Sequence, residues 1–434
     1  MFQNKKSLLL LSTLLISGGV IGAQAQDEPA ITAPACAEPG TLTMWVWDEL
    51  WAEAIGAAIE EWQADYCQGA EVDLVVTPWN EYWTQLQTNA AAGDLPDIFN
   101  ISQDRFQFYA ENDAVLDLQP YLDDAGVDDA NVWGSGMIDP YRWGEEDDLY
   151  AVPVNWDTIA IYYNKDMFDA AGLEYPTNEW TWDDFAEAAR ALTDAEADVY
   201  GATVYGQFQT GYPNWIAATG TDPLVATGRT ACTATDEGSL EALNFLRGLV
   251  DENVMPTISA LGGSGGDDMF NFWLAGRTAM VAGGSWKLPS AAESATFNWD
   301  VVQLPRHPET ERSRSILHSV GYAASNFSSN PDLAANLILF LGSDAGQAYF
   351  AEAGGVAPAN PGLSDEWLAS FGETDVNIQT FVDAIQDSQG VTIFGEIGDA
   401  ITELEVNIFD LGVPVEDATA AFCEQVSEYL VSAE

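Results

Sequence analysis

Between Thr41 and Ser102 the spacing of apolar residues switches back and forth between two periods. TLTMWVW (41–47) is rich in apolar and aromatic residues and predicts a strand, and 50–66 places its apolar residues on one face of a helix. VDLVV (72–76) predicts a second strand, 81–92 a second helix, and PDIFNIS (96–102) a third strand. The β-α-β-α-β order predicts an α/β fold with a parallel sheet and helices on both faces.

Further along, YAVPVNWDTIAIYYNKDMF (150–168) reads as a buried strand-forming run, yet Asn155, Trp156 and Asp157 sit in its middle. Thr181-Trp182-Asp183-Asp184 has the form of a capping box and predicts a helix running to about Leu192. A helix over 239–250 would carry Leu240, Leu243, Leu246 and Val250 on one face. Residues 262–266 form a Gly/Ser loop without the Lys-Ser/Thr ending of a phosphate loop, which makes it a hinge or surface loop. RTAMVAG (277–283) and WDVVQL (299–304) predict strands. Pro331 opens a helix whose apolar face is Leu333, Leu337, Phe340 and Leu341. From Ser364 onward the pattern is mainly helical. No internal repeat or low-complexity linker breaks the chain, which suggests two domains sharing several crossings.

Composition supports real cores. The chain has 434 residues, 47% of them hydrophobic, with 16 Trp, 15 Tyr and 19 Phe, and this excludes a disordered chain. Lys5 and Lys6, an apolar run over 7–22 and Ala23-Gln24-Ala25 form a secretory signal over 1–25, so the protein is expected to be exported and soluble. No later segment is long and apolar enough to cross a bilayer. Thirteen basic residues stand against 69 acidic ones, a net charge of −56. Such a chain is repelled by nucleic acid and anionic membranes, and its acid is best read as a solvated surface. Four cysteines allow three pairings. Cys36 and Cys67 each lie five residues before a predicted strand, so adjacent parallel strands would bring them together. Cys232–Cys423 then follows by elimination. With two histidines and no C-x-x-C, neither a metal site nor a cofactor is expected.

The segment YAVPVNWDTIAIYYNKDMFDAAGLEYPTNEWTWDDFAEAARALT resembles the extracellular solute-binding proteins (family 1) of ABC importers, the maltose-binding-protein-like group. YWTQLQTNAAAGDLPDIF (82–99), FWLAGRTAMVAGGSW (272–286) and GYAAS through GGVAPAN (321–360) match further blocks in family order. The resemblance implies a two-lobed type II periplasmic-binding-protein fold with three interlobe crossings, near 154–157, 301–305 and 356–361. Residues 40–155 and 303–358 would form the N-terminal lobe, and 156–302 and 359–434 the C-terminal lobe. It implies a monomeric carrier at the periplasm or the outer face of the cytoplasmic membrane, which captures a sugar or oligosaccharide and hands it to an ABC permease without catalysis.

A neutral sugar presents hydroxyls on its rim and C–H groups on its faces, so its site combines carboxylates or amides with aromatic platforms. Trp47 and Glu49 follow the first strand, on the side where open α/β sheets bind ligands. Asp104, beside Arg105, matches a cleft Asp-Arg of the maltose-binding branch, while Ile101 stands where that branch has a stacking Trp. Trp156 and Asp157 lie on a crossing. Trp286 in GGSW matches a family aromatic that stacks on sugar, and Tyr212 in QFQTGYPNW lies where the family supplies aromatic contacts. His318, before GYAAS, would reach the ligand or cap a strand end. Trp62, Trp133, Trp182 and Trp273 read as core or interlobe packing. The alternatives are a glycoside hydrolase acting on oligosaccharides, or a carrier of another solute. A polyamine would suit Asp104, Asp157 and Glu49 between Trp walls. A glycerol phosphate ester would have only Arg105 and Lys287 to meet it.

Overall fold

The computed structural model describes residues 34–430, apart from 134, 145, 207, 264 and 391–396. The predicted leader over 1–25 lies outside the described residues. The strands are β1 (Thr41–Val46), β2 (Glu71–Val76), β3 (Ile98–Ser102), β4 (Arg142–Trp143), β5 (Asp148–Leu149), β6 (Ala151–Asp157) and β7 (Ile159–Asn164). They continue with β8 (Tyr200–Thr203), β9 (Thr278–Gly284), β10 (Trp299–Gln303), β11 (Ile316–Ala324), β12 (Ala357–Pro358) and β13 (Gln389–Gly390). Among the described residues they form a large sheet ordered β12-β6-β11-β3-β1-β2, with β13 on β11, and a small sheet ordered β10-β7-β9-β8. β4 and β5 pair as a separate hairpin.

The first three strands are parallel, with β1 between β2 and β3, as the alternating pattern predicts. In β1 every second residue is buried, so Leu42, Met44 and Val46 face one layer. The following helix, Glu49–Glu61, is started by Asp48, whose carboxylate accepts from the Trp51 amide at 3.0 Å. It stops short of the predicted end at Tyr66, because the last turn widens into a π-type turn over Trp62–Tyr66. That turn buries Trp62, whose Nε1 donates to Asn336 Oδ1 at 2.9 Å on the helix Pro331–Leu341. This helix is buried along its length and not on one face only, since other elements cover it on all sides. The Thr181 capping box is present: Thr181 N donates to Asp184 Oδ2 at 2.8 Å, and the Asp184 amide donates back to Thr181 Oγ1 at 3.3 Å. The helix Glu237–Asp251 buries Ala242, Leu243, Leu246 and Leu249, a stripe rotated slightly from the predicted one.

The chain leaves the large sheet at Asp157 and enters the small one at Ile159. It returns between Gln303 and Ile316. After β12 the helix Ser364–Ser370 packs on Asp344–Ala353, beside the large sheet. The helices Gly398–Phe409 and Val415–Val426 instead pack on Glu237–Asp251, on the small-sheet side. Two disulfides staple these ends. Cys36–Cys67 ties the N-terminal segment to the turn before β2, and Cys232–Cys423 ties the loop before Glu237–Asp251 to the last long helix. Both pairings agree with the sequence reading.

Candidate functional site

A cavity of about 300 Å³ lies between the body built on the large sheet and the body built on the small one. Trp79, Gln103, Asp104, Arg105 and His318 line it from the first. Phe208, Gln209, Ile401, Thr402 and Glu405 line it from the second. Strand ends explain the first wall. Trp79 opens the helix after β2 and Asp104 lies in the first turn of the helix after β3, so both stand beyond the carboxyl ends of parallel strands.

Asp104 is the best-supported charged group of this wall. Ser102 Oγ donates to its carboxylate, His318 Nε2 stands 3.6 Å away and Arg105 Nε 3.7 Å away. Burial raises the Asp104 carboxyl, but the His318 hydrogen bond and the Arg105 charge outweigh it and hold the group below its usual range. Asp104 is therefore an ionised acceptor at neutral pH. The Arg105 guanidinium is itself committed, with its carbon 4.7 Å from the Trp83 ring centroid and 5.8 Å from that of Trp79. Gln103 is anchored too: its Nε2 donates to the Leu317 carbonyl at 2.9 Å, and its Oε1 accepts from the Ser319 amide at 3.2 Å.

Trp47 does not reach the cavity wall directly. It forms the hub of a ring cluster behind Trp79, with centroids 5.0 Å from Trp79, 5.1 Å from Tyr82 and 5.3 Å from Trp83. Glu49 is exposed on the first turn of its helix, while the neighbouring Asp48 makes the cap.

Trp156 and Asp157 part company because side chains alternate along a strand. Trp156 is fully buried, with its ring centroid 6.1 Å from that of Trp367 in the large-sheet body. Asp157 turns the other way and accepts a hydrogen bond from Ser285 Oγ, just past β9 of the small sheet. Burial pushes its carboxyl up to about 8, and the Ser285 hydrogen bond offsets only part of this. The Asp157 backbone pairs with His318 on β11, so the cavity's histidine and this carboxyl are neighbours in the sheet.

Trp286 is half-buried, with its ring laid over Gly284 so closely that a Cβ at that glycine would collide with it. Lys287 pairs with Asp267 and sits 5.3 Å from the Phe270 ring centroid. Tyr212 is buried behind Phe208, in edge contact at 6.4 Å, and its hydroxyl has no hydrogen-bond partner among the described residues. Of the eight candidates, the structure thus brings Asp104 and His318 together on the cavity wall and keeps Trp156 and Tyr212 in packed interiors.

The sequence reading missed Trp79, Phe208, Gln209, Thr402 and Glu405. Trp79 was within reach, since it follows a parallel strand as Trp47 and Asp104 do. Glu405 sits mid-helix, buried beside Ile401 and Leu404, and nothing local distinguishes it from other acids on surface helices.

Two α/β bodies holding a polar and aromatic cavity between them define a two-lobed ligand-binding protein. The chain belongs to the bacterial extracellular solute-binding proteins, whose family model matches residues 57–379. It is similar to the maltodextrin-binding protein MdxE of Bacillus subtilis, 23% identical over 364 residues that span 82% of this chain and 81% of the other. A galactooligosaccharide-binding protein of the same organism is 20% identical over 74% of this chain and 73% of its own. The fold matches an ABC substrate-binding protein of Listeria monocytogenes, Lmo0181, solved in complex with cycloalternan. That match has a TM-score of 0.79 and 22% identity, covering 90% of this chain and 99% of that one. Among the described residues no helix is long and apolar enough to cross a membrane.

Proposed function

We propose that this protein captures a sugar or oligosaccharide in the cavity between its lobes and delivers it to an ABC transporter permease. The observation that carries this reading is the composition of the cavity wall. An ionised carboxylate fixed by His318 and Arg105 is placed beside exposed indole, with Phe208, Gln209 and Glu405 facing it from the other body. Carboxylates and amides accept from sugar hydroxyls, and rings cover C–H faces. The names of the relatives support the same ligand class.

The remaining parts of the reading are that the carrier is a monomer without catalytic activity, exported to the periplasm or the outer face of the membrane. Residues 40–155 and 303–358 would form one lobe and 156–302 and 359–434 the other, with the passages between sheets acting as the hinge. A ligand touching both walls favours the closed form through those contacts. A phosphate ester is less well served, since Arg105 is held over Trp83 and Lys287 by Asp267.

A thermal-shift screen over mono- and oligosaccharides, polyamines and phosphate esters tests the ligand class, because a ligand of the folded state raises its melting temperature. Sugar recovered unchanged after incubation marks a carrier, and cleaved sugar marks a hydrolase. Stabilisation by polyamines alone would overturn the sugar reading.

A further inference from the structure

We propose that the Arg229–Glu111 ion pair is a latch between the two lobes, which sets the affinity of capture without touching the captured molecule. Its effect on affinity rests on the capture reading above; its effect on the shape of the protein does not. Arg229 Nη2 stands 3.1 Å from Glu111 Oε1. Glu111 ends the helix Gln103–Glu111, which packs on β3 and β11 of the large sheet. Arg229 ends the short turn Thr227–Arg229, just after Leu224 and Val225 of the small-sheet core. The pair therefore crosses from one body to the other. By contrast, Arg190–Glu252, Arg277–Asp198 and Lys287–Asp267 each close within the small-sheet body.

Each partner is placed as a pairing across the lobes demands. Arg229 is buried, and a buried guanidinium is costly to hold without an opposite charge. Its φ is 59° and that of Gly228 is 76°, two left-handed residues in succession. A residue with a Cβ adopts that backbone rarely, and here the turn holds it: Thr227 N donates to Asp222 Oδ2 at 3.0 Å, and Arg229 N to the Ala226 carbonyl at 2.9 Å. Glu111 is a carboxylate at the negative end of its helix, a position that a nearby cation relieves. Gln107 Nε2 donates to the same Oε1 at 3.2 Å and steadies it. Glu111 lies beyond Asp104 by about 10 Å along the helix axis, and neither Glu111 nor Arg229 lines the cavity. Two bodies that share 69 acidic against 13 basic residues repel each other. A cation of one seated on a carboxylate of the other therefore favours the closed arrangement before any ligand arrives. A ligand of the closed form then binds in proportion to the population of that form.

The test compares the wild type with Glu111→Gln, with Arg229→Gln and with the reversed pair, Glu111→Arg together with Arg229→Glu. Small-angle X-ray scattering without ligand reads the shape, and calorimetric titration with maltose and lactose reads the affinity. The latch predicts a larger radius of gyration for each single variant and a return toward the wild-type value in the reversed pair. Whichever of the two sugars the wild type binds, each single variant should bind it about fivefold or more weakly, and the reversed pair should recover most of the loss. Melting temperatures without ligand show that the variants are folded. Single variants whose scattering superimposes on that of the wild type overturn the latch, even where their melting temperature falls, because the pair then serves folding alone. A reversed pair as expanded as the single variants overturns it as well. Expanded variants that keep the wild-type affinity overturn its role in capture. The scattering needs no ligand, so it decides the latch even where neither sugar binds, an outcome that counts against the capture reading alone.

Discussion

Ser285 Oγ donates a hydrogen bond to the buried carboxyl of Asp157, joining the residue after β9 of the small sheet to the last residue of β6 in the large one. Burial raises that carboxyl to about 8, so the folded protein holds a proton that the unfolded chain, with a carboxyl near 4, releases. Its contribution to stability is full below about pH 4 and is lost as pH rises through about 8, with a slope of up to about 1.4 kcal/mol per pH unit. Asp157→Asn keeps the shape and removes the titration. Urea unfolding between pH 5 and 9 should therefore show a flatter stability profile for the variant, with its advantage over the wild type growing toward pH 9. Parallel profiles would mean that Asp157 is ionised in the folded state.

Asp104 behaves in the opposite sense. Its carboxyl is held down by His318 and Arg105, so it is ionised across the neutral range and supplies a charged acceptor. Asp104→Asn should weaken sugar binding by about 1.5–3 kcal/mol, the usual worth of a hydrogen bond to a charged group. Calorimetric titration at pH 7 checks this. An affinity within twofold of wild type would place the ligand elsewhere.

Trp156 should matter for stability and not for contact with ligand. Its ring is fully buried beside Trp367, so Trp156→Ala should cost about 3–5 kcal/mol of folding stability. Denaturant titration measures that loss. Sugar affinity, measured where the variant is still folded, should change far less than in Trp79→Ala.

The Cys232–Cys423 bridge closes a sequence separation of 191 residues and fastens the last long helix to the loop before Glu237–Asp251. Replacing both cysteines by alanine should destabilise the protein by about 2–5 kcal/mol. Neither cysteine nor any residue of Val415–Val426 lines the cavity, so ligand affinity at low temperature should be retained. Melting curves with and without sugar separate the two effects.

Much of the architecture was legible because it is written in short-range patterns. Buried alternation in β1, the reciprocal Thr181–Asp184 cap and Pro331 at a helix start each depend on residues within one or two turns of each other. Cys36–Cys67 followed from where predicted strands would bring the two cysteines, and Cys232–Cys423 followed by elimination. Asp104 and His318 were found from motif position, and they meet although 214 residues apart, because β11 lies beside β3 in the large sheet.

Other features depend on contacts that no local pattern encodes. Adjacent residues on β6 were read as one ligand-facing pair, but strand alternation sends Trp156 into the large-sheet body and Asp157 toward Ser285. Phe208 and Glu405 acquire their place only when a loop and a C-terminal helix pack across from the ends of β2 and β3. The sequence by itself determined the main helices and strands, since local hydrogen bonding and apolar periodicity govern them, and it determined the excess of acid. The tertiary structure decided which rings are left bare at the cavity and which are sealed in cores, because exposure is set by whatever distant segment comes to lie on top of a residue.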